Sequence, residues 1–169
     1  PGFAHRLSIP KFLIHPSIDP LSQKNLELSR AEVNEVLVRL GIPRDKPILL
    51  RMGRFERFHD PLGAIKAYRM IKKYHRCRLI IAGSGVMHDQ EGEAVLAEVQ
   101  EAAGKDSDIH VLQLPPEADL ELNALQRAAT IVIQKSIKEG FGVAVSESMW
   151  KGKPVIGSTA GGIAAQIVD

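Results

Sequence analysis

The sequence has one cysteine, few aromatic residues and no long run of apolar residues. Cys77 has no intrachain partner for a disulfide, and a lone cysteine is typical of a reducing compartment, so we expect a cytoplasmic protein. No apolar run approaches the roughly 18–20 residues of a membrane-spanning helix, and no signal peptide is visible, so we expect no membrane partner. Positive and negative residues are interspersed, and the net charge is +2. This charge pattern does not indicate nucleic-acid binding.

A histidine motif for a metal site and the motifs for nucleophilic hydrolysis are also missing. The histidines have no ligand spacing such as H-x-x-x-H, so we expect no metal site. Gly-x-Ser-x-Gly and a Cys-His pairing are absent, which argues against a hydrolase with a nucleophile. Gly83-Ser84-Gly85 resembles the start of a dinucleotide fingerprint, but a third glycine and a following acidic residue are missing. We interpret this segment as a tight turn at a cleft.

Short aliphatic strands and amphipathic helices alternate regularly along the chain. A capping box at Ser29 and Glu32 opens the first helix, which stops at Gly41, and Asp60 followed by Pro61 is predicted to open a later one. Strands are predicted at residues 48–50, 79–82, 109–112, 131–133 and 155–156. This alternation predicts an α/β fold, namely a Rossmann-like open parallel sheet with helices on both faces. Ligands of such sheets bind beyond the carboxyl ends of the strands.

Two parts of the chain are predicted from its composition. Residues 1–20 are punctuated by prolines and are predicted to be an interdomain linker, and residues 21–169 are predicted to be one domain with its own core. The sequence starts at Pro1 rather than at Met, and no closing helix follows Ile167-Val168, so we expect a piece of a longer protein. Within the domain, Trp150 is predicted to lie in the core.

The most informative stretch is Glu139-Gly140-Phe141-Gly142, which follows an apolar strand and leads into a helix that carries Glu147. The first N–H groups of a helix have no intrahelical partner and carry the positive end of its dipole, so they favour an anion. The two glycines allow a ligand to approach the backbone closely. Carboxylates accept hydrogen bonds, whereas sugar hydroxyls donate them, so acids on both sides of an anion site suit a nucleotide sugar.

Arg54 follows the first predicted strand of the sheet and lies beside the flexible Gly53. A guanidinium at the carboxyl end of a strand is well placed to fork onto a phosphate. Arg54 is therefore predicted to bind the diphosphate of such a ligand, whereas we interpret Arg57 as a surface residue.

Two stretches carry a resemblance to a known family. The pattern E-G-F-G-x-x-x-x-E from Glu139 to Glu147, followed by K-P-V-I-G-S-T-A-G-G-I from Lys153 to Ile163, resembles the donor site of retaining GT-B glycosyltransferases of the group 1, family 4 type. The segment H-P-S-I-D-P-L-S-Q-K-N from His15 resembles trehalose synthases of the glycosyltransferring type. The resemblance covers nearly the whole chain and implies the C-terminal, donor-binding half of a GT-B fold.

The resemblance also implies roles for individual residues. Arg54 and Glu139 are the implied catalytic residues, because one neutralises the donor diphosphate and the other holds hexose hydroxyls. His59 stands where the family commonly has the lysine of G/S-R-F-x-x-x-K, and it is expected beside the diphosphate. Glu147 is implied to bind the ribose. The remaining donor contacts are implied to involve main-chain groups, those of Gly140, Phe141, Gly142 and Val143 at the helix start and that of Leu114 for the nucleobase.

By resemblance, the full enzyme would transfer glucose from UDP-glucose or ADP-glucose to a sugar acceptor and give trehalose, with no cofactor and no strict metal requirement. The N-terminal acceptor domain of the same protein would be its partner, and a homodimer is the expected assembly. The isolated chain is expected to be inactive, because a GT-B active site lies between two domains. Two alternatives stay open: a trehalose phosphorylase, and a non-catalytic nucleotide-sugar-binding module.

Overall fold

The computed structural model describes residues 10, 12, 14, 16–83 and 89–167. The strands are β1 (Ile48–Met52), β2 (Arg78–Gly83), β3 (Ile109–Gln113), β4 (Ile131–Gln134) and β5 (Val155–Gly157). The helices are α1 (Arg30–Arg39), α2 (Pro61–Ile71), α3 (Gln90–Ala103), α4 (Asp119–Ala128), α5 (Val143–Trp150) and α6 (Gly162–Gln166), and a 3-10 turn spans Arg57–His59. Most of the predicted linker, together with Ser84 and Gly85 of the predicted tight turn, lies outside the described residues.

The five strands form one parallel sheet in the order β3-β2-β1-β4-β5. Leu49 in the central strand is paired with Leu79 of β2 on one side and with Ile131 of β4 on the other. The strand order therefore reverses between β1 and β4, and ligands of doubly wound sheets bind at that point. The predicted Rossmann-like parallel sheet is confirmed.

Helices cover both faces of this sheet, as predicted. One face packs its aliphatic side chains, among them Ile81, against α2 and α3, and the other packs residues such as Leu50 against α1 and α4. Every residue of β1 and β2 is buried as a result. Because neither face of these strands meets water, they contain nearly continuous apolar runs.

The predicted helix ends are confirmed where local chemistry sets them. The Ser29 hydroxyl accepts a hydrogen bond from the Glu32 N–H at 3.2 Å, and the Glu32 carboxylate accepts one from the Ser29 N–H at 2.7 Å. Asp60 caps α2 by accepting from the Gly63 N–H at 2.9 Å, with Pro61 as the first helical residue. These side chains satisfy N–H groups that have no partner within the helix.

The core prediction for Trp150 is wrong, because 58 % of this residue is exposed at the end of α5. The helix instead buries Val145, Glu147 and Ser148. Helix α6 was not predicted from the sequence. In the described part of the chain, no helix is long and apolar enough to cross a membrane.

Candidate functional site

The loops after β1 and β4 meet at the carboxyl edge of the sheet, at the point where the strand order reverses. The N–H of Ile137 donates a hydrogen bond to the carbonyl of Phe58 at 2.7 Å, and Lys135 forms an ion pair with Asp60. These contacts join the two loops directly. They bring His59 of the first loop beside the carboxylate of Glu139 in the second.

Glu139 is held by a small polar network at the end of β4. Its Oε2 accepts hydrogen bonds from the Ser136 hydroxyl at 2.9 Å and from Nε2 of Gln134 at 3.1 Å. The same oxygen lies 3.7 Å from Nε2 of His59, and the side chains of both residues are mostly buried. This network fixes the carboxylate before any ligand arrives. Pre-arranged acceptors of this kind suit the hydroxyl groups of a sugar.

Arg51 organises the loop after β1, although sequence reasoning did not single it out. It is 1 % exposed in the middle of an apolar strand. Its Nη1 donates to the carbonyl of Gly53 at 2.9 Å, and its Nη2 donates to those of Arg54 and His59, both at 3.2 Å. Burial lowers the pKa of Arg51 to about 10, against the opposing effect of nearby carboxylates, that of Asp60 foremost. The guanidinium is therefore charged at neutral pH and fixes this backbone.

Helix α5 begins directly after the second loop, and no side chain caps it. Its N-cap residue, Gly142, has a φ of 80°, which a glycine adopts without strain. The N–H of Gly162 donates to the carbonyl of Gly140 at 2.7 Å. A Cβ atom on Gly161 would overlap the carbonyl oxygen of Glu139, so the two adjacent glycines allow α6 to pack tightly against the loop.

Two clefts open at this edge of the sheet. The first, which we call the loop cleft, encloses about 340 Å³ and is lined by Arg54, Glu56, Phe58, His59, Lys138, Glu139 and Gly140. The second, which we call the strand cleft, encloses about 150 Å³ and is lined by Lys24, Met52, Gly53, Arg54, Ala82, Gly83, Leu122, Ala144 and Glu147. Arg54 lines both clefts. Its side chain is 66 % exposed and contacts Glu56 at 3.0 Å, so it is accessible to an anion between the clefts.

Glu147 lies on the wall of the strand cleft and is 3 % exposed. Its Oε1 is 2.9 Å from Nζ of Lys24, and its Oε2 accepts a hydrogen bond from Nε2 of Gln126 at 3.3 Å. Sequence reasoning missed both partners, because they belong to distant segments of the chain. The ion pair with Lys24 keeps the buried carboxylate compensated in the free protein.

The other predicted residues are placed as follows. Leu114 is 6 % exposed in the core, and its N–H already donates to the carbonyl of Gly83 at 2.8 Å. Val143 is partly exposed at the start of α5, and the carbonyl of Phe141 accepts a hydrogen bond from Gln166. Arg57 forms a two-bond ion pair with Glu98 on α3, as expected for a surface residue.

The comparisons with known proteins agree with this fold. The sequence profile of the glycosyl transferases group 1 matches residues 33–169. The chain belongs to this family. It forms the five-stranded part of a GT-B glycosyltransferase. Among the described residues of this glycosyltransferase chain, no group of three or more histidine, cysteine or acidic side chains converges on one point that could hold a metal ion.

Two relatives and one solved structure show what this glycosyltransferase chain is similar to. It is 43 % identical to the trehalose synthase of Rubrobacter xylanophilus over 157 residues, which cover 92 % of this chain and 38 % of that protein. It is 38 % identical to a trehalose phosphorylase of Pleurotus pulmonarius over 96 residues, which cover 53 % of this chain and 13 % of that protein. The fold matches Anabaena HepE, solved in complex with UDP and glucose, with a TM-score of 0.67 and 20 % identity over 84 % of this chain and 37 % of that one.

Proposed function

We propose that this chain is the donor-binding half of a retaining glycosyltransferase that uses a nucleoside diphosphate glucose. The observation that carries the proposal is the position of Arg54, which lines both clefts, with Glu139 in one and Glu147 in the other. A nucleotide sugar has the same order of groups: hexose, diphosphate, ribose. The hexose would occupy the loop cleft, and the ribose would occupy the strand cleft.

The chemical work assigned to this half is electrostatic. When the diphosphate leaves, negative charge develops on it while the sugar becomes oxocarbenium-like, so fixed positive groups near the phosphates lower the barrier. Arg54, the N–H groups at the start of α5 and the side chain of His59 supply these groups. Lys138 also lines the loop cleft. Its ammonium offers a second positive charge at a site where His59 replaces the lysine of the family pattern.

The carboxylates orient the donor from its two ends. Glu139 is fixed by Ser136 and Gln134 and would accept hydrogen bonds from hexose hydroxyls. Glu147 would accept them from the ribose, in place of or together with its contacts to Lys24 and Gln126. Neither carboxylate is assigned as a general base.

Trehalose synthesis is the whole-protein activity that we propose, supported by 43 % identity to a trehalose synthase. The chain spans 38 % of the length of that relative. An acceptor domain on the N-terminal side would complete the active site, and the full protein would act as a homodimer in the cytoplasm. The chain by itself would bind donor without transferring glucose.

Calorimetric titration of the chain with UDP-glucose and ADP-glucose tests the donor proposal. We expect saturable one-site binding of at least one of them, weakened about tenfold or more by Arg54→Ala, which removes a charge-assisted contact to phosphate. Arg57→Ala is the matched control, because its guanidinium is held by Glu98 away from the clefts. Absence of binding at millimolar concentrations, or equal losses in both variants, would contradict the proposal.

A trehalose phosphorylase is the second candidate, favoured by the 38 % identity to the Pleurotus enzyme. In that case inorganic phosphate replaces the nucleotide, so the chain should bind α-glucose 1-phosphate and ignore UDP-glucose and ADP-glucose. Titration with all three ligands separates the candidates. A response to glucose 1-phosphate alone that Glu139→Gln abolishes would favour the phosphorylase.

A further inference from the structure

A second, strongly basic cavity lies outside the two clefts. It encloses about 500 Å³, and five of its seven lining residues are cations. We call it the basic pocket, and its lining consists of Leu28, Arg30, Val33, Arg44, Arg127, Lys151 and Lys153. No carboxylate belongs to this lining. Such a concentration of one charge sign is unexpected in a chain whose charges are otherwise balanced at +2.

The basic pocket is separate from the proposed donor site. Arg44, Arg127 and Lys153 lie in the segments that precede β1, β4 and β5, at the amino ends of these strands. The donor clefts lie at the carboxyl ends and share no lining residue with the basic pocket. A ligand in the basic pocket would therefore bind independently of the proposed donor.

The protein itself leaves most of this positive charge uncompensated. Arg127 pairs with Glu27 at 3.4 Å, but the side chain of that glutamate is 92 % exposed, so the pair is weak. The other four cations, Arg30, Arg44, Lys151 and Lys153, form no ion pair with a carboxylate in the described part of the chain. The nearby carboxylate of Glu147 already contacts Lys24 and Gln126.

Burial and, to a smaller extent, neighbouring cations lower the pKa values of the two lysines of this pocket. Burial lowers the pKa of Lys151 to about 8, and Arg127 and Lys24 add to this effect against the opposing charge of Glu147. Burial also lowers the pKa of Lys153, with further contributions from Arg127 and Arg44. A bound anion would offset this repulsion and favour the charged lysines.

The volume and the lining of the basic pocket limit the class of anion that it could bind. The volume lies in the range of pockets that hold small molecules. Arg30 and Arg44 offer planar forks that match phosphate oxygens, and no aromatic ring belongs to the lining. The guanidinium of Arg127 adds positive charge, but it already donates to Asn123 and to the carbonyls of Asn25 and Leu26. We infer that the basic pocket binds a small, non-aromatic phosphate ester with at least two phosphate groups. The concave shape favours such a small ligand over nucleic acid.

The test uses fructose 1,6-bisphosphate as the probe and calorimetric titration of the chain at pH 7. We expect one saturable site, no response to fructose, and at most weak binding of sulfate. The double substitution Arg44→Ala/Lys153→Ala should weaken binding about tenfold or more, because it removes two charged contacts. No hydrogen bond or ion pair is found for either side chain within the described residues, so this variant should fold normally.

Two controls separate this site from other sources of anion binding. Lys66→Ala/Lys73→Ala removes the same charge in and just after α2, on the opposite face of the sheet, and should leave the affinity unchanged. Arg54→Ala removes a cation of the donor clefts and should also leave it unchanged. Absence of probe binding at millimolar concentration, or equal weakening by all three variants, would overturn the inference. Tighter binding of an RNA oligonucleotide than of the probe would overturn it as well.

Discussion

Nε2 of His59 lies 3.7 Å from Oε2 of Glu139. Nδ1 of the same imidazole lies 3.3 Å from the carbonyl oxygen of Arg54. One ring thus connects the loop after β1 with the loop after β4 at the reversal point of the sheet. A side chain at position 59 therefore lies beside both the proposed sugar-binding carboxylate and the proposed phosphate-binding loop.

His59→Lys should tighten the binding of UDP-glucose. The ammonium of lysine is charged at every physiological pH, and Glu139 would hold it at the mouth of the loop cleft, where it can contact the diphosphate. We expect a gain of about tenfold, the lower end of the range for one charge-assisted contact. His59→Gln is the control without charge and should give no gain. An unchanged affinity in the lysine variant would mean that position 59 does not reach the diphosphate.

Glu147→Gln and Glu139→Gln should separate the two ends of the donor. The first should weaken UDP and UDP-glucose equally, because both carry the ribose, by about tenfold. The second should weaken UDP-glucose and leave UDP unchanged. Glutamine preserves the shape of each side chain. Its amide oxygen can still accept from Gln126 at position 147 and from Ser136 at position 139. If both variants lost UDP to the same extent, the assignment of hexose and ribose would be wrong.

Arg51→Met should destabilise the fold and weaken the donor together. The substitution keeps the volume of the stem but leaves the carbonyls of Gly53, Arg54 and His59 without their shared donor. We expect a loss in the free energy of unfolding on the order of 2–4 kcal/mol, measured by urea denaturation. Arg57→Met removes an exposed guanidinium from the same loop and should change stability far less. Similar losses in the two variants would contradict the role of Arg51.

Gly161→Ala should disturb the loop that carries Glu139. The new Cβ would overlap the carbonyl oxygen of Glu139, so the loop must shift. Gly104 has nearly the same backbone conformation, with φ 59° and ψ −133° against 51° and −133°. A Cβ atom there would meet only an ordinary contact, the Glu101 carbonyl oxygen at 3.7 Å. Both substitutions to alanine should cost about 1–3 kcal/mol of backbone strain in thermal unfolding. Only Gly161→Ala should also weaken UDP-glucose, and equal donor affinities in the two variants would argue against this coupling.

Binding of fructose 1,6-bisphosphate should weaken as the pH rises from 7 to 9. Burial lowers the pKa of Lys151 to about 8 in the free protein, where Glu147 of α5, Arg127 of α4 and Lys24 face it. A bound phosphate favours the ammonium, so binding takes up a proton as the pH passes this value and loses affinity above it. The ligand keeps its charge over this range, because phosphate esters lose their second proton near pH 6.

Lys151→Arg is the matched variant for this pH profile. Arginine stays charged to well above pH 9, so the affinity of the variant should vary little across the same range. Calorimetric titrations of both proteins at pH 7, 8 and 9 measure the difference. Parallel profiles in the two proteins would show that Lys151 is not the titrating group.

Local chemistry determined much of this protein from the sequence alone. The capping box at Ser29 and the cap at Asp60 involve residues within three positions of each other, so a linear reading finds them. The alternation of apolar strands and amphipathic helices predicts a parallel sheet, because parallel strands need a crossover of this length. The spacing of Glu139, Gly142 and Glu147 likewise places both acids around one helix start.

Only the tertiary structure decided which distant residues meet. The order of the strands sets the contact between His59 and Glu139, and the packing of the segment before α1 against α4 and α5 brings Lys24 to Glu147. Trp150 was misplaced because hydrophobicity alone does not say which side of a helix faces the sheet. Arg51 and the basic pocket were missed because a buried guanidinium or a shared cavity is defined by neighbours in space. Such contacts depend on how whole elements pack, and no short sequence window contains that information.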